Sequence, residues 1–230
     1  MTNFYICTHK DFEVPKELKG NYTIVTDGTD LQNKYDIPIL KADNELLPLK
    51  HSYSEGYMIY DIWKKDSESD FIGLNHYRRH LQIQEVEDNI EENVLPVPMA
   101  FDMYLQYGQC HNIDDLLEVK AIIDKYYKDF NTNVQGFLPC NISILDRATF
   151  NEWCDFLFGV LEIFNERKSL YTDEDVRFHC WKNGKKYLVP FNLDYQSRLH
   201  AFLMERITTI YLANKFNHKP IRYSQIVMGT

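Results

Sequence analysis

Residues 70–81 read DFIGLNHYRRHL. Phe71, Ile72, Gly73 and Leu74 form an apolar run that suits a short buried strand. Asn75, His76, Tyr77, Arg78, Arg79 and His80 follow at once, where such a strand would leave its sheet. In open α/β sheets ligands bind at that carboxyl edge. Two adjacent guanidinium groups beside two imidazoles make a compact anion receptor, because the guanidinium fork matches phosphate oxygens bidentately. The alternative is a basic turn that pairs with an acidic surface. His76 and His80 are four residues apart, which would suit zinc on a helix. No HExxH glutamate and no nearby cysteine accompany them, so a metal site is not expected there.

Two further groups of residues could carry chemistry. Asp173, Glu174 and Asp175 form a D-x-D triplet, the pattern with which manganese-dependent sugar transferases hold a donor diphosphate. Here it opens a helix, where acids are favoured by the helix dipole without any metal. The stretch EDVRFHCWKNGKKYLVP that continues it resembles the segment of GT-A sugar transferases that supplies a catalytic base, which makes Asp175 the first candidate base and Glu205 the second. Near the C-terminus, Arg198, Phe202, Glu205 and Arg206 fall close to one helical face. They are either intrahelical ion pairs, or a set in which Arg198 and Arg206 enter a cleft and Glu205 holds them. No GxGxxG, GxxxxGK[ST] or serine nucleophile elbow occurs, which removes support from dinucleotide enzymes, P-loop NTPases and α/β-hydrolases.

The elements that must position these groups alternate. Strands are expected at 3–7, 22–26, 70–74, 137–145 and 187–190, with a turn at 27–30 and a loop or lid over 32–48. Helices are expected at 51–65, 112–130 with Asn112 as cap, 146–164, 172–181 and 195–216. Residues 85–92 are acidic and expected to be exposed, and 94–98 to be extended. The pattern predicts an α/β fold whose central sheet is mixed, mostly parallel and flanked by helices. The 230 residues suffice for a single domain over 1–230. A formal net charge of −9 excludes an extended nucleic-acid surface and makes the basic pair at 78–79 a local exception. Five cysteines without CxxC spacing read as reduced thiols of a cytoplasmic protein, and neither a signal peptide nor a membrane span is expected.

Several stretches in order carry a resemblance to a known family: THK after the first strand, YSEGYMIYDIWKK, DFIGLNHYRRHL, HNIDDL, CNISIL and QSRLHAFLMERITTIYL. Together they resemble the bacterial capsular and exopolysaccharide proteins long labelled a domain of unknown function and now grouped with glycosyltransferases. Their pattern runs THK, Y-C-E-L-T with W-x-W-K-N, G-x-x-HYRR, N-M-F-I and R-x-x-G-F-x-x-E-R. This chain departs from it at Ser54-Glu55-Gly56, Asp61-Ile62-Trp63, Asn141-Ile142-Ser143-Ile144 and His200-Ala201-Phe202. It keeps Glu55, His76, the arginines, Asn141 and Glu205.

The resemblance implies a GT-A-like nucleotide-sugar fold. It also implies transfer of a hexose, galactofuranose or galactose, from a nucleoside diphosphate such as UDP to a lipid-linked glycan at the inner membrane surface. Thr8, His9 and Lys10 are then expected at the nucleotide. His76, Tyr77, Arg78 and Arg79 are expected at the diphosphate, and Glu55, Asn141, Arg198 and Arg206 elsewhere in the substrate site. No cofactor is expected, because the arginines would offset the leaving-group charge. Manganese stays open through the D-x-D triplet. The rival expectation is a non-catalytic nucleotide-sugar or glycan-binding protein on the same scaffold; a nucleotidyl- or phosphotransferase would lack its usual metal carboxylates.

Overall fold

Alternating side chains on the first strand set up both faces of the molecule. In the computed structural model, which describes residues 2–10, 12, 22–26, 39–82, 90, 92–184, 191–217 and 219–228, Phe4 and Ile6 of β1 (Thr2–Thr8) belong to one hydrophobic cluster. Tyr5 and Cys7 belong to the other, the period-two division that a strand imposes. The β-branched run Tyr22–Thr26 is β2, and Ile39–Lys41 is β3. Helices α1 (Lys50–Tyr53) and α2 (Glu55–Lys65) lead to β4 (Phe71–His76), and β5 (Arg79–Leu81) folds straight back on it. After β6 (Val94–Pro96) come α3 (Met103–Cys110), α4 (Ile113–Tyr126), β7 (Ser143–Asp146) and α5 (Arg147–Lys168). The chain continues through α6 (Asp173–Lys182), α7 (Leu193–Gln196) and α8 (Leu199–Lys215) to β8 (Arg222–Ser224) and β9 (Ile226–Met228).

The strands form one mixed sheet in the order β3-β2-β1-β4-β7-β6-β8, with β5 and β9 branching from β4. The longer pairings, β1 with β2 and with β4, are parallel, whereas β7 runs antiparallel to β4. The passage from β3 through α2 to β4 is a crossover between parallel strands, as the alternation predicts. Among the described residues, the buried large hydrophobic side chains of the helices join the cluster that contains Tyr5 and Cys7. Trp153 is fully buried there and donates from Nε1 to Thr208 Oγ1 at 3.1 Å, so its polar edge is satisfied. No described helix is long and apolar enough to cross a membrane.

Helix starts follow local signals. Asn112 accepts from the Asp114 N–H, Asp146 from the Thr149 N–H, and Thr172 forms a reciprocal capping box with Asp175. Four expectations are corrected. The helix expected over 51–65 breaks at Ser54, whose φ is 53°. The strand expected over 137–145 is confined to β7 and one bridge from Phe137 to Met99, because Cys140 and Asn141 both take positive φ. The helix expected over 195–216 is two helices, because the buried side chains of Gln196 and Ser197 bond to Cys110, His111 and Asp194. Part of the expected loop over 32–48 is strand β3. The turn at 27–30, the strand at 187–190, 32–38 of the expected loop and 85–89 and 91 of the acidic stretch lie outside the described residues.

Candidate functional site

Strand direction decides which residues meet. Cys7 lies opposite His76, and Thr8 opposite Thr26, so β1, β2 and β4 all end at one edge. The Tyr77 N–H donates to Cys7 O at 3.2 Å and ties the two strand ends together. Thr8 Oγ1 accepts from the Lys10 N–H at 3.1 Å and closes the turn that exposes His9 and Lys10. Because β7 is antiparallel to β4, it begins where β4 ends, with Ser143 opposite Leu74. The turn at Cys140 and Asn141 therefore arrives at the same edge. A crossover helix runs against its strands, so the N-terminus of α2, with Glu55 as its first residue, comes to this edge as well.

The HYRR segment is a hairpin. His76 ends β4, Tyr77 and Arg78 make the turn, and Arg79 opens β5 opposite His76. His76 and His80 are therefore not on one helical face. Tyr77 is buried under His9, whose ring meets it edge-on at 5.3 Å, and under the Arg78 guanidinium at 5.0 Å. Arg78 is exposed and Arg79 half-buried, and neither is paired with a carboxylate among the described residues. Arg79 Nη1 reaches Cys140 Sγ at 3.2 Å. The Arg78 N–H donates to His76 Nδ1 at 3.2 Å. Burial, then Arg78, Arg79, His9 and Arg198, push the His76 pKa down to about 3, so the imidazole is neutral at pH 7. A neutral ring with Nδ1 accepting carries its proton on Nε2.

Carboxylates occupy the other side. Ser54, with its positive φ, turns the chain so that Glu55 stands at the start of α2, and Arg198 holds this corner. Its Nη2 donates to Ser54 Oγ at 3.0 Å and lies 3.8 Å from a Glu55 oxygen. Burial raises the Glu55 pKa and the Glu205 charge raises it further, against the lowering effects of its own backbone hydrogen bond and Arg198. Glu205 accepts from the Cys140 N–H at 2.9 Å through Oε1 and from Arg206 Nη1 at 2.7 Å through Oε2. That anchor holds Cys140 and Asn141 in their left-handed conformations, which are costly for non-glycine residues. Asn141 Oδ1 accepts from Thr208 Oγ1 at 2.9 Å, while its Nδ2 is buried without a partner among the described residues. Burial pushes the Cys140 thiol up to about 12 and raises the Cys7 thiol too, so neither is a thiolate nucleophile.

The structure thus gathers Thr8, His9, Lys10, Glu55, His76, Tyr77, Arg78, Arg79, Asn141, Arg198 and Glu205 along one edge. Two expected residues behave otherwise. Arg206 does not enter the cleft. It is buried, donates to Gln106 Oε1 and Phe202 O, and packs over the Phe137 ring at 4.5 Å, so it holds Glu205 rather than being held. Asp175 is engaged in capping α6. Its Oδ2 accepts from Tyr171 N, Thr172 N and Thr172 Oγ1, and the Thr172 hydroxyl foremost holds its pKa low. Asp173 likewise accepts from the His51 and Ser52 N–H groups. The D-x-D triplet is therefore engaged in backbone bonds, and no group of three or more His, Cys, Asp or Glu among the described residues could hold a metal ion. Sequence reasoning missed Cys140 and Gln106. Pro139-Cys140-Asn141 is a turn signal that would have marked the first; no local signal marks the second.

A family model described as a domain of unknown function (DUF4422) matches residues 3–100 and 91–181. No curated protein sequence matches the chain. Among solved structures, the bifunctional glycosyltransferase WbbM in its apo form superposes with a TM-score of 0.67 at 15% identity. The superposition covers 100% of this chain and 45% of that one, so the chain spans less than half of that protein's length, and the likeness is one of fold.

Proposed function

We propose, from the premise that this chain belongs to the DUF4422 family, that it is a glycosyltransferase moving a hexose from a nucleoside diphosphate to a glycan acceptor. The observation that carries this reading is the pair Arg78 and Arg79, free of carboxylate partners among the described residues, at the edge where the half-buried Glu55 also stands. The fold shared with a protein titled a bifunctional glycosyltransferase supports it. In the transfer, an acceptor hydroxyl oxygen bonds to the anomeric carbon of the donor. The bond from that carbon to the diphosphate oxygen breaks, and its electron pair leaves with the nucleoside diphosphate. Arg78 and Arg79 stabilise the charge that develops there. In an inverting reaction a carboxylate takes the hydroxyl proton. Asp175 is engaged as a cap and Glu205 by two donors, so Glu55, with its raised pKa, is the base. UDP is the expected carrier, a lipid-linked surface glycan the expected acceptor and galactose or galactofuranose the expected sugar, on the family resemblance described above.

The test is release of UDP from UDP-galactose or UDP-galactofuranose with a lipid-linked acceptor. Arg78→Ala and Arg79→Ala are each expected to lower the rate by roughly 10²-fold or more, about 2–4 kcal/mol of transition-state stabilisation. Activity is expected to persist in EDTA. Complete loss on chelation with rescue by manganese would show that the arginines do not replace a metal. Binding of the nucleotide sugar without turnover across a panel of acceptors would favour a binding module.

A further inference from the structure

One cavity lies apart from the cationic edge and is lined by none of the residues assigned to the transfer above. It encloses about 250 Å³ between the 135–138 turn, the C-terminal part of α8 and β8. That is less than the roughly 300–1,000 Å³ of sites that take drug-sized ligands, so it suits one or two sugar-sized rings. Leu138, Leu212 and Phe216 supply apolar walls, and Gln135, Asn217 and Tyr223 supply polar groups at an exposed rim. None of the described residues lining it is charged. A phosphate or an ammonium group would lose hydration there without an ionic partner. Among the described residues, the side-chain amides of Gln135 and Asn217 and the Tyr223 hydroxyl have no hydrogen-bond partner. Each amide offers both donors and an acceptor, and the phenol adds a ring face. This set matches the vicinal hydroxyls and C–H face of an uncharged sugar.

The cavity is joined to the proposed active edge through Thr209 and α8. Thr209 lines it, donates from Oγ1 to Glu205 O at 2.8 Å and accepts from the Leu138 N–H at 3.0 Å. Ala213 follows Glu205 by eight residues on α8, roughly 12 Å at about 1.5 Å per residue, a span of a few sugar rings. We infer that this cavity is a subsite for an uncharged sugar of the acceptor glycan, remote from the bond-forming centre. As an acceptor subsite it rests on the glycosyltransferase reading; as a glycan site it can be tested alone.

The full chain, with no donor present, is titrated with maltotetraose, cellotetraose and a galactotetraose while the amide NMR signals of Gly136, Thr209 and Asn217 are followed. A parallel titration uses UDP. At least one saccharide is expected to move the cavity signals. Gln135→Ala and Tyr223→Ala, both at exposed positions, are expected to weaken it by about fivefold or more and to leave UDP binding unchanged. If no saccharide moves those signals, or if both substitutions leave saccharide affinity unchanged, the inference is overturned. Failure of UDP to bind, with saccharide binding intact, counts against the transfer reading and leaves the glycan site standing.

Discussion

Glu55 owes its raised pKa to burial and to the Glu205 charge, at a position set by a helix break one residue before it. A continuous helix through 51–65 would leave this carboxylate in mid-helix, whereas the positive φ of Ser54 sets it at the start of α2 beside Arg198. Burial there disfavours the charged form, and Glu205 disfavours it further. Both effects favour a group that accepts a proton during turnover and releases it afterwards. Glu55→Gln is expected to lower kcat by about 10²-fold or more with little change in nucleotide-sugar affinity. Calorimetric titration with donor separates this from a lost contact, which would weaken binding and turnover together. If Glu55→Gln turns over normally, Glu55 is not the base. His76 acts in another way. Neutral at pH 7, it offers an N–H donor without adding to the local positive charge.

At the scale of elements, the site depends on keeping α2, β1 and α5 in register, and Asp66 is the clasp. Its carboxylate, just beyond α2, accepts from Tyr5 Oη on β1 at 2.7 Å and from Arg147 Nη2 at the start of α5 at 2.7 Å. Burial pushes the Asp66 pKa up, but the hydrogen bonds from Ser69, Tyr5 and Arg147 outweigh it and hold the carboxyl far below its usual range. A depressed carboxyl pKa gives stability that is fully present above the unfolded value near 4 and is lost as pH falls toward the folded value. Asp66→Ala is expected to cost about 2–4 kcal/mol at pH 7 by leaving a half-buried guanidinium unpaired. The deficit should shrink on acidification below about pH 4. Urea unfolding at pH 7 and pH 3 checks both, and an equal deficit at the two values would remove the clasp.

At the scale of the whole molecule, histidines set the acid limit before the carboxylates do. Burial lowers the pKa of His200 to about 3, that of His111 to about 4 and that of His76 to about 3. His200 is locked between Ser52 Oγ and Asn165 Oδ1, each at 2.6 Å, and stacks on Tyr53 at 4.4 Å. Below the unfolded value of about 6.5 the unfolded chain binds a proton at each of these positions and the folded chain does not. Stability therefore falls as pH drops from about 6.5 toward 4, by about 1.4 kcal/mol per pH unit for each fully buried histidine. Chemical denaturation at pH 7.5, 6 and 5 is expected to show that slope, and His200→Asn should remove part of it. A flat profile over that interval would mean that these rings titrate normally in the folded state.

Local rules reach as far as the strands and the helix starts. β1, β2 and β4 follow from apolar runs ended by polar residues. Asn112 and Thr172 stand within three residues of the backbone groups they cap, so short-range chemistry places them. The cationic turn at 76–79 is legible for the same reason. The assembly of the site is not. Cys140 meets Glu205 across 65 residues and Arg198 meets Ser54 across 144, and no periodicity encodes such pairs. The left-handed turns at 54 and 140–141 persist only because those distant partners hold them against their local cost. Asp175 and Arg206 make the same point from opposite directions. A D-x-D triplet has the same spelling whether it holds a metal or caps a helix, and its neighbours decide. An arginine on a helix reads as a ligand contact or as a buried strut according to what lies across from it, here Gln106 and Phe137. Sequence alone determined which groups would stand at the strand ends. Tertiary structure decided which carboxylate was left with a raised pKa, because desolvation and distant charge arise only when the elements pack.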